Sequence, residues 1–209
     1  MNILFIITSA IYVGNTYTIY KPSERLEQTI KTIQTIQKKV PNSLIYLFEC
    51  SNINDLEYNE LAQTGANIIK LYDDNFIRER TKHRNQSIGE IAIMDRAITY
   101  LSDNSILDNI DYFFKISGRY FLNDTFYLEK IISVNDKFSF TTVNNICSTV
   151  LYGVPKSKFE IFKKVVNDGI NTISYDIEHY FTFSINNINL LNHIGVSGYI
   201  SHNGAFINH

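Results

Sequence analysis

The sequence predicts an α/β fold: a mostly parallel sheet with helices on both faces, in one domain. Three observations carry this. Residues 3–10 (ILFIITSA) form a continuous apolar run, the pattern of a strand covered on both sides. Strand-like and helix-like segments then alternate as far as residue 116, the order that builds a parallel sheet with right-handed crossovers. Finally, the 209 residues are 44% hydrophobic and 19% charged, with 9 Gly and 3 Pro. That is a globular composition, long enough to bury a sizeable core, without the bias of disordered or fibrous chains.

The elements follow in order. After a loop rich in Tyr and Thr (residues 12–20), Pro22-Ser23 opens a helix with Ser23 as its N-cap. Its apolar stripe is Leu26, Ile30, Ile33 and Ile36, and Pro41 stops it. Residues 43–48 (SLIYLF) are a second strand, about 53–63 a short helix, and 67–71 (NIIKL) a third strand. A basic loop, Arg78, Arg80, Lys82, His83 and Arg84, leads to a helix over 88–101 capped by Ser87. Residues 111–116 (DYFFKI) are a fourth strand, followed by Ser117-Gly118-Arg119. The second half is less regular: strands at 137–143 and 148–154, helices at 157–166 and 177–185, and a last strand at 190–195. No repeat or linker divides the chain, so residues 1–209 read as a single domain.

Composition excludes some functions. A net charge of -2 leaves no basic footprint for nucleic acid. Two cysteines, Cys50 and Cys147, are too few for a disulfide scaffold. They fit buried thiols in a reducing, cytoplasmic compartment, with contact at a membrane surface still allowed. No apolar run approaches the ~20 residues that span a bilayer. The glycine signatures of P-loop and dinucleotide sites are absent, as are HExxH, CxxC, Asp-x-Asp and GxSxG.

In an open parallel sheet, ligands bind outside the carboxyl ends of the strands. Those ends are Thr8-Ser9, Glu49-Cys50-Ser51, Tyr72-Asp73-Asp74 and Ser117-Gly118-Arg119. Cations at 78–84 and Arg119 suit a pyrophosphate, since Arg offers bidentate contacts. Gly118 permits close backbone approach. Asp176-x-Glu178 opens a late helix, either as simple capping or as a general base in the cleft. Asp73 and Asp74 are the available oxygen ligands for Mg2+ or Mn2+. His193, His202 and His209 are scattered.

The order of pieces resembles a GT-A glycosyltransferase, of the small bacterial or viral kind that assembles surface polysaccharide or glycoprotein glycans. The resemblance rests on the first strand ending in Thr8-Ser9, the helix with Glu24-Arg25-Leu26-Glu27-Gln28-Thr29, and the second strand ending in an acid. It rests further on Ser87-Ile88-Gly89-Glu90 and on the strand from Asp111 through Tyr120. The run from Cys147 to Lys156 is similar to the family's acceptor-side strand, and Gly195-Val196-Ser197-Gly198 with His202 to its donor-closing segment. The resemblance implies a nucleotide-sugar half (1–122) and an acceptor half (123–209). It implies a UDP- or GDP-linked sugar donor, a glycan acceptor and inversion at the anomeric carbon. By it, Thr8, Ser9 and Glu49 would hold the nucleoside. Arg78, Lys82, Arg84 and Arg119 would face the diphosphate with Asp73, Ser117, Gly118 and His202 nearby, and Glu178 or Asp176 would be the base. Ser117-Gly118-Arg119 stands where the family carries Asp-x-Asp, so either cations replace the metal, Asp73-Asp74 bind it differently, or activity is lost. A nucleotidyltransferase and an inactive nucleotide-sugar-binding protein are the rival readings.

Overall fold

The computed structural model describes residues 1–13, 18–133 and 136–208. Its main sheet has seven strands: β1 (Ile3–Ser9), β2 (Leu44–Glu49), β3 (Asn67–Lys70), β4 (Tyr112–Ser117), β6 (Phe138–Val143), β7 (Ile146–Pro155) and β8 (Ile188–Leu191), in the order β3-β2-β1-β4-β7-β6-β8. The β3-β2-β1-β4 pairings and the β6-β8 pairing are parallel, and β7 runs antiparallel to both its neighbours. A small second sheet joins β5 (Tyr120–Leu122), β9 (Val196–Tyr199) and β10 (Phe206–Asn208).

The alternation along β1 explains the two layers. Leu4 and Ile6 enter one buried cluster, under α3 (Asn75–Thr81), α4 (Gln86–Asp103), α6 (Phe159–Thr172) and α7 (Ile177–Ser184). Ile3, Phe5 and Ile7 enter the other, under α1 (Pro22–Lys39), α2 (Asp55–Ala62) and α5 (Leu128–Ile132). All seven residues of β1 are buried, and each large apolar side chain removed from water contributes roughly 1.5–3 kcal/mol. Register then lines up the polar strand ends: Thr8 lies opposite Ser117, and Ser9 opposite Glu49.

Several boundaries differ from the sequence reading. Ser23 lies inside α1, whose N-cap is Lys21: Pro22 takes the first helical position, where its fixed φ is favourable, and Glu24 accepts from the Lys21 amide. Asn85, not Ser87, caps α4, accepting from the Ser87 amide at 3.0 Å. The start of the basic stretch, Arg78 and Arg80, belongs to the helix α3, which Asp74 caps by accepting from the amides of Phe76 and Ile77; Lys82 is its C-cap, and His83 and Arg84 lie beyond it. The last expected strand is displaced: Gly195, at φ 80°, separates β8 from β9, and a Cβ there would lie 2.2 Å from the Phe126 backbone. Part of the Tyr-rich loop, and His209, lie outside the described residues.

Candidate functional site

A cavity of about 630 Å³ opens at the carboxyl ends of β1, β2 and β4. Thr8, Ser9, Ser117, Gly118 and Arg119 form part of its wall, and Arg25 and Thr29 of α1 another part. Gly118 is the hinge of this arrangement. Its amide bonds Thr8 O at 2.9 Å, and Thr29 Oγ1 donates to Gly118 O at 3.2 Å. A Cβ at 118 would meet Thr29 Oγ1 at 2.9 Å and Ser9 Oγ at 3.3 Å. Helix, strand end and loop thus converge because residue 118 lacks a side chain.

Four cations line the cavity: Arg25, Arg78, Lys82 and Arg119. Among the described residues, none of them makes an ion pair. The helix explains which members of the basic stretch arrive. Arg78 and Lys82 are four residues apart and share a face. Arg80 turns away to Ile170 O at 3.3 Å, and the exposed Arg84 does not reach the cavity.

Arg25 is missed by the sequence reading of the site. It is 7% exposed, its Nε donates to Ala10 O at 2.6 Å, and Nη1 reaches Ser201 Oγ at 3.2 Å. Burial, and then the charge of Arg119, pulls its guanidinium down to about 10, with Glu49 acting the other way. A buried cation without a carboxylate partner is costly, and an anion in the cavity would offset that cost.

Glu49 does not face the cavity. It is fully buried, and its Oε1 accepts from the Ile11 amide at 3.1 Å, the Ser51 amide at 2.8 Å and the Ser51 hydroxyl. Burial raises its carboxyl, while the bonds from Ser51, Ser9 and Ile11 oppose the shift. The side chain shapes the loop after β1, which places Tyr12 in the cavity wall.

The carboxylate that does line the cavity is Glu90 of α4. It pairs with Lys115 of β4, whose side chain is fully buried. Lys115 Nζ also donates to Ser117 Oγ at 3.1 Å and Thr149 O at 2.9 Å. Thr149 Oγ1 in turn donates to Glu178 Oε1 at 2.7 Å. Lysine in the strand DYFFKI was the available signal for this network, since an unpaired charge in an apolar strand is not tolerated.

Glu178 lines a second, 370 Å³ pocket with Asp176, His179, Asn144 and Ser148. Burial, and then the charge of Glu90, raises the Glu178 carboxyl above its ordinary value. Asp176 goes the other way. Although burial opposes it, the His179 amide and ring hold Asp176 below the usual carboxylate value. It is the N-cap of α7.

Asp73 and His202 do not line the cavity, though Ser201 does. Asp74 is committed to capping α3 and to Arg96 Nε at 2.7 Å. No group of three or more His, Cys, Asp or Glu among the described residues could hold a metal ion. Arg119 stands at the strand end, and Glu90 is engaged by Lys115. These residues do not fit a divalent cation.

With this geometry, solved structures supply the comparison. A nucleotide-diphospho-sugar transferase from Desulfovibrio desulfuricans superposes with a TM-score of 0.55 at 11% identity, over 91% of this chain and 80% of that one. Core-mannan synthase A from Aspergillus fumigatus, in its Mn/GDP form, gives 0.50 at 9%, over 94% and 74%. A cytidylyltransferase from Leptospira borgpetersenii gives 0.50 at 12%, over 88% and 70%. The chain has a GT-A-like fold. No protein-family model matches it, and no curated protein does. Identities this low establish the fold alone. Among the described residues no helix is long and apolar enough to cross a membrane.

Proposed function

We propose that this protein is a glycosyltransferase of hexosyl type, moving a sugar from a nucleoside diphosphate to a saccharide hydroxyl. The observation that carries this is the set of four unpaired cations, one of them buried, at the strand ends of a GT-A-like sheet. Such a set accepts a diphosphate. Thr8, Ser9 and Tyr12 would border the nucleoside, while Glu49 holds the loop in place behind them.

Between the two acids expected at α7, Glu178 suits the base. Its carboxyl is raised toward the working pH, which favours proton transfer. Asp176 is depressed and occupied as a cap. Glu178 would take the proton of the acceptor hydroxyl as that oxygen bonds to the anomeric carbon. The bond from that carbon to the phosphate oxygen breaks, and its electron pair leaves with the nucleoside diphosphate. Arg25 and Arg119 would stabilise the charge gathering there. A single displacement of this kind inverts the anomeric centre. A polysaccharide or glycoprotein glycan is the proposed acceptor class.

The nucleotidyltransferase reading expects a glycine-rich loop after the first strand, and residues 10–20 contain only Gly14. A thermal-shift screen of UDP- and GDP-linked sugars, followed by transfer assays with and without Mn2+, tests the proposal. A ligand that binds only the native state raises its melting temperature. Stabilisation by at least one nucleotide is expected, and no shift at millimolar concentration overturns the donor site.

A further inference from the structure

Glu90 stands alone in an otherwise cationic cavity. Among the described residues it is the one carboxylate in the wall, facing the space that Arg25, Arg78, Lys82 and Arg119 share. It is not a stray surface acid. Its Oε1 is held by the fully buried ammonium of Lys115, which Ser117 Oγ and Thr149 O anchor in turn. Its Oε2 has no partner among the described residues, and the side chain is 27% exposed. Lys115 is therefore a positioning residue: it fixes one oxygen of Glu90 and leaves the other for a ligand.

An ionised carboxylate only accepts hydrogen bonds. It cannot serve a phosphate, and the cations already do. What it recognises is a hydroxyl, with which it makes a charge-assisted bond. Resting on the proposed donor site, we infer that Glu90 is a specificity residue for the donor sugar, accepting a ring hydroxyl and selecting neutral sugars over acidic ones. A uronate sugar would bring a second carboxylate toward Glu90 with the nearby cations engaged by the diphosphate. Like charges brought together in a partly buried site repel with little screening.

Calorimetric titration of the whole chain tests this with two matched pairs: UDP-glucose against UDP-glucuronic acid, and GDP-mannose against GDP-mannuronic acid. UDP and GDP alone are the controls. In whichever pair binds, the neutral sugar is expected to bind roughly tenfold tighter or more than its uronate, the scale of one hydrogen bond to a charged group. Glu90→Gln is expected to reduce that ratio severalfold while leaving the affinity for the bare diphosphate unchanged. Because Glu90→Gln strands the Lys115 ammonium, the double variant Glu90→Gln/Lys115→Met, which removes both charges, is measured beside it. A uronate that binds as tightly as its neutral partner overturns the inference. So does a ratio unchanged in both variants. In those cases binding of UDP or GDP leaves the donor site standing. If neither diphosphate nor any of the four sugars binds, the donor site itself falls, and the inference with it.

Discussion

The donor-site cavity and the pocket at α7 are built from opposite charges. The larger cavity gathers four cations and a single carboxylate, while the smaller pocket holds Asp176, Glu178 and His179 with no Lys or Arg in its wall. Both are reached from the same sheet: β4 ends in Ser117 at one, with Arg119 just beyond it, and β7 supplies Ser148 to the other. The separation has a chemical use. Cations keep an anionic leaving group in place, whereas an ionised carboxylate is the stronger proton acceptor where no cation lowers its pKa. A guanidinium beside Glu178 would depress its carboxyl and weaken it as a proton acceptor. One buried network, Glu90-Lys115-Thr149-Glu178, nevertheless joins the two.

Four measurements press on this division. The largest effect is expected from Glu178→Gln, which should lower kcat by about 10²–10⁴-fold, the usual contribution of a positioned base. Calorimetry should show its donor affinity unchanged, and an equal loss of binding would mean the two pockets are not separate in function. Next comes Arg119→Ala, expected to weaken nucleoside-diphosphate binding about tenfold to a hundredfold with little effect on the pH dependence of turnover. Third is that pH dependence itself. The base must be ionised, and its pKa is raised, so the acid limb of kcat should lie above that of an ordinary glutamate. Removing the Glu90 charge takes away one cause of the shift, and the limb in Glu90→Gln should move to lower pH. Last, Asp176→Ala should cost about 1 kcal/mol in urea unfolding through loss of the α7 cap, with kcat nearly intact. A collapse of turnover there would transfer the base from Glu178 to Asp176.

Much of the larger cavity was legible in the chain, and the reason is local. Unbroken apolar runs announce buried strands, and their polar ends, Thr8-Ser9 and Ser117-Gly118-Arg119, then mark the rim. Arg25 was not legible. It follows Glu24 on an amphipathic helix, where charge ordinarily means solvent. Yet Arg25, Thr29 and Thr32 are all buried, because Thr29 and Thr32 bond the carbonyls of Gly118 and Tyr120. Those partners lie 88 or more residues away, beyond any periodicity argument. The basic stretch failed for a different reason. Helix α3 turns Arg80 away from Arg78 and Lys82, and Arg84 lies beyond its end, exposed; a tally of charges reveals neither. The second sheet was lost because three- and four-residue strands, one containing Gly198, carry too little pattern.

Arg25 also ties together parts of the molecule that the gene places far apart. Its guanidinium touches Ala10 on one side and Ser201 on the other, while the Ile19 amide bonds Ser201 O at 2.9 Å. Trimming the polypeptide just ahead of residue 201 would therefore be felt at residue 10, loosening the first loop and the mouth of the cavity together. A fusion joined at that end of the chain needs a spacer long enough to spare this clasp.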